Sequence, residues 1–283
     1  MIPRIDILNW YENAPWALDA QVEQDLVLSR ALVELYSHPT IQKSLAFRGG
    51  TALQKLFFKK QLRYSEDLDF VQIEAGGIGG ILDALREALD PWLGKPKRKQ
   101  NFGRVTFLYK FETEIEPVST MRVKIEINTR EHFSLFGLVE KNYAVKSKWF
   151  SGEAKIKTYI LEEMLGTKLR ALYQRRKGRD LFDLTTALLY LKPDVDRIIL
   201  AFDTYMDFVG SKVSRAEFEE NFYYKLRDDA FVKDMSALLP REYREQLNYG
   251  DYGKLINETF VTRMPGEPWK GILEEKREHY EIA

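Results

Sequence analysis

In the stretch "RYSEDLDFVQI", Asp67 and Asp69 stand two residues apart, immediately before Phe70. Side chains alternate across an extended strand, so Ser65, Asp67 and Asp69 share one face while Leu68 and Phe70 take the other. Along that face the two carboxylates lie about 7 Å apart. Unpaired, they repel each other. A divalent cation held between them relieves the repulsion, and Mg²⁺ commonly takes one or two carboxylates together with phosphate oxygens. The plainer alternative is a solvated edge face, for which two acidic residues are equally suited.

Further residues bear on that choice. Gly49 and Gly50 sit where an apolar run, "SLAF", gives way to a helical pattern opened by Thr51. Glycine there lets the backbone approach a phosphate, and a helix start offers free N–H groups to an anion. A tight turn needing positive φ would require glycine as well. In "MRVKIEIN", Val123, Ile125 and Ile127 face one way; Arg122, Lys124, Glu126 and Asn128 face the other. Glu126 is thus a third carboxylate from a neighbouring strand, or one half of a cross-strand salt bridge. Downstream, Leu161, Leu165, Lys168, Leu172 and Arg175 form one helical stripe. A cation in an apolar stripe either snorkels to the edge or meets an anion, since burying it alone is costly. Asp180 then reads as a helix N-cap, with Asp183 three residues on in a capping-box arrangement.

The elements that must position these groups follow from periodicity. A helix is expected over residues 17–37, ended or interrupted by Pro39. Strands are expected at "SLAF" and "DLDFVQI". "EAGGIGG" reads as a loop, because its glycines do not match a phosphate-binding spacing, and "ILDALREALDPWL" as an amphipathic helix stopped near Pro91. "GKPKRKQ" is a basic turn. "RVTFLYKF" and "MRVKIEIN" alternate strictly and are joined by a proline-containing turn, so they form an antiparallel pair. From about Ile156 the pattern turns helical to the end. Strands early and helices late give an α+β domain over residues 1–155 followed by a helical one over 156–283.

With its glycine pair and D-x-D, "FRGGTALQKLFF…RYSEDLDF" resembles the nucleotidyltransferase motif of the DNA polymerase beta superfamily. More narrowly it resembles the AbiEii/AbiGii toxin family, to whose pattern Arg63, Ser65, Asp67 and Asp69 correspond. That family's second block, K-x-x-A…R…R-D-x-x-D-L, is matched by "KLRALYQRRKGRDLFDL" from Lys168 to Leu184. The resemblance implies a polymerase-beta-like fold: a short mixed sheet with flanking helices, then a helical domain. It implies a metal-dependent transfer of nucleotides from an NTP. Asp67 and Asp69 would hold Mg²⁺ or Mn²⁺. Gly49, Gly50 and Thr51, with Arg63 and Ser65, would bind nucleotide. Lys168 would stabilise phosphate charge, Asp180 would be required for activity, and Glu126 would complete the carboxylate set. The implied setting is the toxin of a toxin–antitoxin pair in abortive infection, an antiviral defence. A transcriptional-regulator antitoxin is the implied partner and the 3′ end of tRNA the leading acceptor. Transfer to a protein or small molecule is the alternative that the same residues would serve. A non-catalytic RNA- or protein-binding module on the same fold is the other.

Composition narrows the field. The 283 residues carry no net charge and no cysteine, which excludes disulfides, thiolate chemistry and finger-type zinc sites. His38, His132 and His279 are far apart and share no ligand spacing. No apolar run approaches the roughly 20 residues that span a bilayer, and the N-terminus lacks a signal-peptide pattern, so a cytoplasmic protein is expected. The basic runs at Lys95–Lys99 and Arg175–Arg179 suit either a phosphate backbone or solvent.

Overall fold

The computed structural model describes residues 2–236, 238–240 and 248–271; His279 lies outside them. The chain divides into two compact units, Met1–Ile160 and Leu161–Ala283.

The first unit is built on one seven-stranded mixed sheet. Its elements are α1 (Arg4–Trp10), α2 (Asp19–Ser37), α3 (Pro39–Ser44), β1 (Leu45–Arg48), α4 (Gly49–Leu56), β2 (Asp67–Gln72), α5 (Gly79–Leu93), β3 (Lys97–Asn101), β4 (Arg104–Glu112), β5 (Thr120–Asn128), β6 (Leu138–Lys146) and β7 (Ser151–Tyr159). The strand order is β3-β4-β5-β2-β1-β7-β6. The β2–β5 and β1–β7 pairs are parallel and the others antiparallel. The buried face carries Phe47, Leu68, Phe70, Phe107, Val123, Ile125 and Ile127, with α2 packed against β5, β6 and β7.

Several local expectations need correction. The helix over "ILDALREALDPWL" begins two residues earlier, at Gly79, and ends at Leu93, two residues past Pro91; a proline so near the C-terminal end forfeits a single backbone bond. The basic turn is in part a strand, β3, which forms one edge of the sheet and is exposed at every position. Lysine on an edge strand discourages pairing with another chain. Residues 156–159 continue β7 rather than opening a helix, so the first unit reaches Ile160.

A buried polar cluster ties the helices of this unit together. Asp25 on α2 accepts from Trp10 Nε1 at 2.9 Å, Gln61 Nε2 at 3.0 Å and Lys55 Nζ at 2.9 Å. Lys55, at the end of α4, also donates to Ser29 at 3.0 Å, and Tyr143 of β6 donates to Ser29 at 2.9 Å. The side chains of Lys55 and Asp25 are essentially inaccessible to water. Helix α4 is thereby anchored at its C-terminal end to α2 and, through Ser29, to β6.

The second unit is helical among its described residues. It comprises α6 (Leu161–Gln174), α7 (Gly178–Leu191), α8 (Val195–Phe208), α9 (Arg215–Leu226), α10 (Asp229–Ser236), α11 (Tyr249–Thr259) and a 3₁₀ turn at Val261–Arg263. Its core gathers Leu165, Leu169, Leu172, Phe202, Phe218 and Phe231. Lys225 of α9 donates to the Leu172 and Tyr173 carbonyls, which closes the C-terminal end of α6.

Removing one partner of a buried ion pair leaves the other charge uncompensated. Lys55→Met is expected to lower unfolding free energy by about 3–5 kcal/mol, read as a fall in the urea midpoint. The double variant Lys55→Met/Asp25→Asn, which removes the bare charge and keeps an acceptor for Trp10 and Gln61, should recover part of that loss.

Candidate active site

Strand register sets the geometry of the first unit's polar face. Asp67 of β2 lies opposite Lys124 of β5, and Asp69 lies opposite Glu126. On the other side, Arg48 of β1 lies opposite Asp69. Alternation turns Leu68 and Phe70 into the core and leaves Asp67 and Asp69 partly exposed on the same side. Three carboxylates and two cations therefore share neighbouring positions of one sheet face.

Lys124 mediates between two of the carboxylates. Its Nζ is 3.3 Å from Asp67 Oδ2 and 2.8 Å from Glu126 Oε2. Glu126 also accepts from Arg104 Nη1 at 3.3 Å and Thr106 Oγ1 at 3.4 Å. Burial alone would raise the Glu126 carboxyl, but Lys124 and Arg104 hold it below its ordinary range. Asp69 is the opposite case. Burial pushes its carboxyl up, and the charges of Asp67 and Glu126 push the same way, against Arg48 and Lys124. Arg48 is itself committed to Glu131, with Nη1 2.6 Å from Oε2. This face thus lacks positive charge at Asp69.

The glycine pair lies against the same aspartate. Gly49 opens α4 with φ +85°, and a Cβ there would fall 2.5 Å from Asp69 Oδ2. Only glycine admits both the backbone and the carboxylate. At Gly50 the requirement is packing: a Cβ would fall 2.3 Å from Arg63 Nη2. Arg63 is buried and donates to the Tyr64 carbonyl at 2.9 Å. Thr51 does not cap α4. Arg48 occupies the N-cap position, and the buried Thr51 Oγ1 lies 2.5 Å from the Asp67 carbonyl and 2.8 Å from Ser65 Oγ. Arg63, Thr51 and Ser65 hold the helix start in place from beneath.

Among the described residues, no cluster of three or more His, Asp or Glu side chains is arranged to hold a metal ion unaided. The donor set nevertheless suits a cation that brings its own phosphate oxygens. Asp67 and Asp69 supply two hard oxygen ligands, and the Lys124 ammonium already marks the adjoining ground as one that attracts positive charge.

In the second unit, Lys168, Asp180 and Asp183 are buried together. Lys168 Nζ is 2.7 Å from Asp183 Oδ2 and 3.3 Å from Asp180 Oδ1. Arg175 grips Asp180 with two bonds, Nε to Oδ2 at 2.7 Å and Nη2 to Oδ1 at 2.8 Å. Lys168 therefore does not snorkel. Asp180 does not cap α7; Lys177 takes that position, and Asp180 lies in the first turn facing inward. Burial favours the neutral acid at Asp180, but Lys168 and Arg175 hold its carboxyl below the ordinary range.

Three residues of the first site were not singled out by sequence: Arg48, Lys124 and Glu131. Arg48 directly precedes the glycine pair, and Lys124 shares the face of Glu126, so both carried a usable signal. Glu131 lies beyond the strand, where no periodicity pointed to it.

Comparison with known proteins bears on the family and the fold. The family model described as nucleotidyl transferase AbiEii toxin, type IV TA system, matches residues 30–255. No curated protein matches by sequence. Among solved structures, the chain is similar to MenT4, a nucleotidyltransferase toxin from Mycobacterium tuberculosis H37Rv. The TM-score is 0.66 at 15% identity, covering 99% of this chain and 94% of that one. It is also similar to JHP933 from Helicobacter pylori, with TM-score 0.50 at 16% identity over 87% of this chain and 95% of that one. At such identities the likeness is one of fold.

Asp69 binds a proton more readily in the folded protein than in the unfolded chain. Metal-free stability should therefore fall as pH rises from the ordinary carboxylate range through the raised value. Asp69→Asn should remove that slope and raise the melting temperature in chelator at neutral pH; an unchanged slope would count against the charge crowding described here. Lys168→Met removes the cation held between two buried aspartates, of which Asp180 keeps Arg175, and should cost about 3 kcal/mol, read by urea denaturation. Lys168→Met/Asp183→Leu should cost less than the single change.

Proposed function

The chain belongs to the AbiEii nucleotidyltransferase toxin family, and from that premise we propose that it transfers a nucleotide from an NTP to the 3′ hydroxyl of an RNA, with tRNA as the foremost acceptor. The observation that carries this reading is the contact of Gly49 with Asp69. It sets a glycine helix start, suited to phosphate, directly against a carboxylate pair suited to a divalent cation. Asp67 and Asp69 would hold Mg²⁺ or Mn²⁺, which when bound neutralises triphosphate charge and orients the reacting oxygens.

The chain's own residues account for the rest. The N–H groups at the start of α4 receive phosphate oxygens, and Arg63, Thr51 and Ser65 fix that start. The acceptor oxygen bonds to the α-phosphorus, the bond to the bridging oxygen breaks, and pyrophosphate leaves with the electron pair. The hydroxyl proton passes to a carboxylate. Asp67 and Asp69 would be engaged by the cation, so the carboxylate left for that task is Glu126, which lies opposite Asp69 and is held in place by Lys124, Arg104 and Thr106. Lys168 and Asp180 act as positioning residues for Arg175, whose side chain is 47% exposed while Asp180 grips it. No described helix is long and apolar enough to cross a membrane, and NTP and RNA as substrates imply a cytoplasmic setting. A cognate antitoxin, of transcriptional-regulator type, completes the pair, with defence against phage as its role.

Asp67→Asn and Asp69→Asn keep side-chain shape and remove charge. Each should abolish transfer from labelled NTP to total tRNA in Mg²⁺, judged by the size of the labelled product, while circular dichroism stays native. Normal transfer by either variant would remove that residue from the site. Labelling of protein, with RNA unlabelled, would replace RNA by a protein acceptor.

A further inference from the structure

The polar face does not end at the carboxylates. The registers β2–β5, β5–β4 and β4–β3 carry it outward to the sheet edge. Asp67 lies opposite Lys124, Lys124 opposite Leu108, and Leu108 opposite Lys97. Asp69 lies opposite Glu126, Glu126 opposite Thr106, and Thr106 opposite Lys99. Arg104 and the facing pair Lys110 and Arg122 stand on the same face. The reverse face of these strands holds Val105, Phe107, Tyr109, Val123 and Ile125 in the core. Cations are thus concentrated on the one side of β3–β4–β5 that faces solvent and leads from Asp67 and Asp69.

Among the described residues, no carboxylate pairs with Lys97, Lys99, Lys110 or Arg122. Lys110 and Arg122 are directly opposite each other. Like charges at facing positions destabilise a sheet, so this arrangement costs the folded protein and favours an anion that would lie over both. Three strand spacings separate β2 from β3, on the order of 14 Å.

An aromatic ring ends the stripe. The β3–β4 hairpin turns through Phe102 and Gly103, and Phe102 is 90% exposed. The turn is built to hold it there. Gly103 has φ +75°, and its missing side chain leaves room for Arg130, whose guanidinium lies 5.0 Å from the Phe102 ring. One face of that ring is backed by a cation and the other is available. Exposed aromatics beside a basic track take bases by stacking, which requires them unstacked from a duplex.

We infer that the solvent face of β3–β4–β5 seats a single-stranded segment of the RNA acceptor, its phosphates on Lys97, Lys99, Lys110 and Arg122 and a base on Phe102. This rests on the RNA-acceptor reading above, and it adds which surface holds the RNA and how.

The test separates binding from transfer. Fluorescence anisotropy with the full chain, a labelled single-stranded oligoribonucleotide and no NTP or metal reads binding alone. Phe102→Ala should weaken it by roughly 5- to 150-fold, the range for loss of one stacked base. Lys97→Glu/Lys99→Glu should weaken it further and flatten the dependence of log affinity on log salt by about 0.7 per lost contact. All three positions are exposed, so melting temperature should not move. In the transfer assay the same variants should raise KM for RNA with KM for NTP unchanged. Wild-type affinity and salt slope in both variants would overturn the inference while leaving RNA transfer intact. Wild-type protein that binds the oligonucleotide through this face yet labels no RNA would overturn the transfer reading and leave this surface standing. Wild-type protein that binds no RNA would overturn both, and a protein acceptor would then be the one to pursue.

Discussion

The proximity of Asp69 to Asp67 and Glu126 is the constraint around which the first unit is arranged. A sheet position flanked by two other carboxylates, and partly withdrawn from water, is an unfavourable place for a negative charge. The fold answers with cations that are only partly available. Lys124 is shared between Asp67 and Glu126, and Arg48 faces Asp69 in register but closes on Glu131. Every neighbour is satisfied before Asp69 is. A site left short of positive charge in this way gains most from a cationic ligand, because ligand binding removes a cost that the free protein carries.

The supports around that point are rigid for reasons that have nothing to do with charge shortage. Gly49 and Gly50 look alike in sequence but answer different demands. One supplies a left-handed backbone against a carboxylate; the other vacates space for a buried arginine. Helix α4 is fixed at its start by Thr51 and Ser65 and at its end by the Lys55–Asp25 pair. The second unit repeats the device, burying Lys168 between two aspartates and using one of them to grip Arg175. Buried ion pairs of this kind add little net stability compared with apolar packing. Their value lies in permitting one arrangement of the surrounding helices, since any other leaves a bare charge.

How much of this was legible in the sequence depended on what kind of force wrote it. β2, β4 and β5 each have one face in the core, so strict alternation exposed them, and the face shared by Asp67, Asp69 and Glu126 followed from parity alone. β3 and β6 lie at the sheet edges with few buried positions. β3 is exposed at every position and its sequence carries no alternation to read, which is why "GKPKRKQ" resembled a turn. Lys168 and Asp180 were legible as unusual but not as partners. Pairing across twelve residues depends on how α7 folds back on α6, and helical spacing describes only one helix at a time. The capping reading of Asp180 failed for the same reason: a tertiary partner outbid a local one.

Net neutrality concealed the feature with the widest reach. A chain with 43 basic and 43 acidic residues has no overall field to attract an anion. Alternation in strands nevertheless lets charge be sorted by face rather than by segment. Lys97, Lys99, Arg104, Lys110, Arg122 and Lys124 come from three strands scattered over some 28 positions of sequence, and no window of the chain shows more than a few of them together. Sheet register gathers them on one side, next to the carboxylates that exclude anions unless a cation accompanies them. The two halves of that face then make opposite demands. On the proposed reading, the carboxylate end would take a polyanion that arrives with a metal and the basic end one that arrives bare. A surface so divided would tell a metal-bound triphosphate from an RNA backbone by electrostatics, before any hydrogen bond to a base is made.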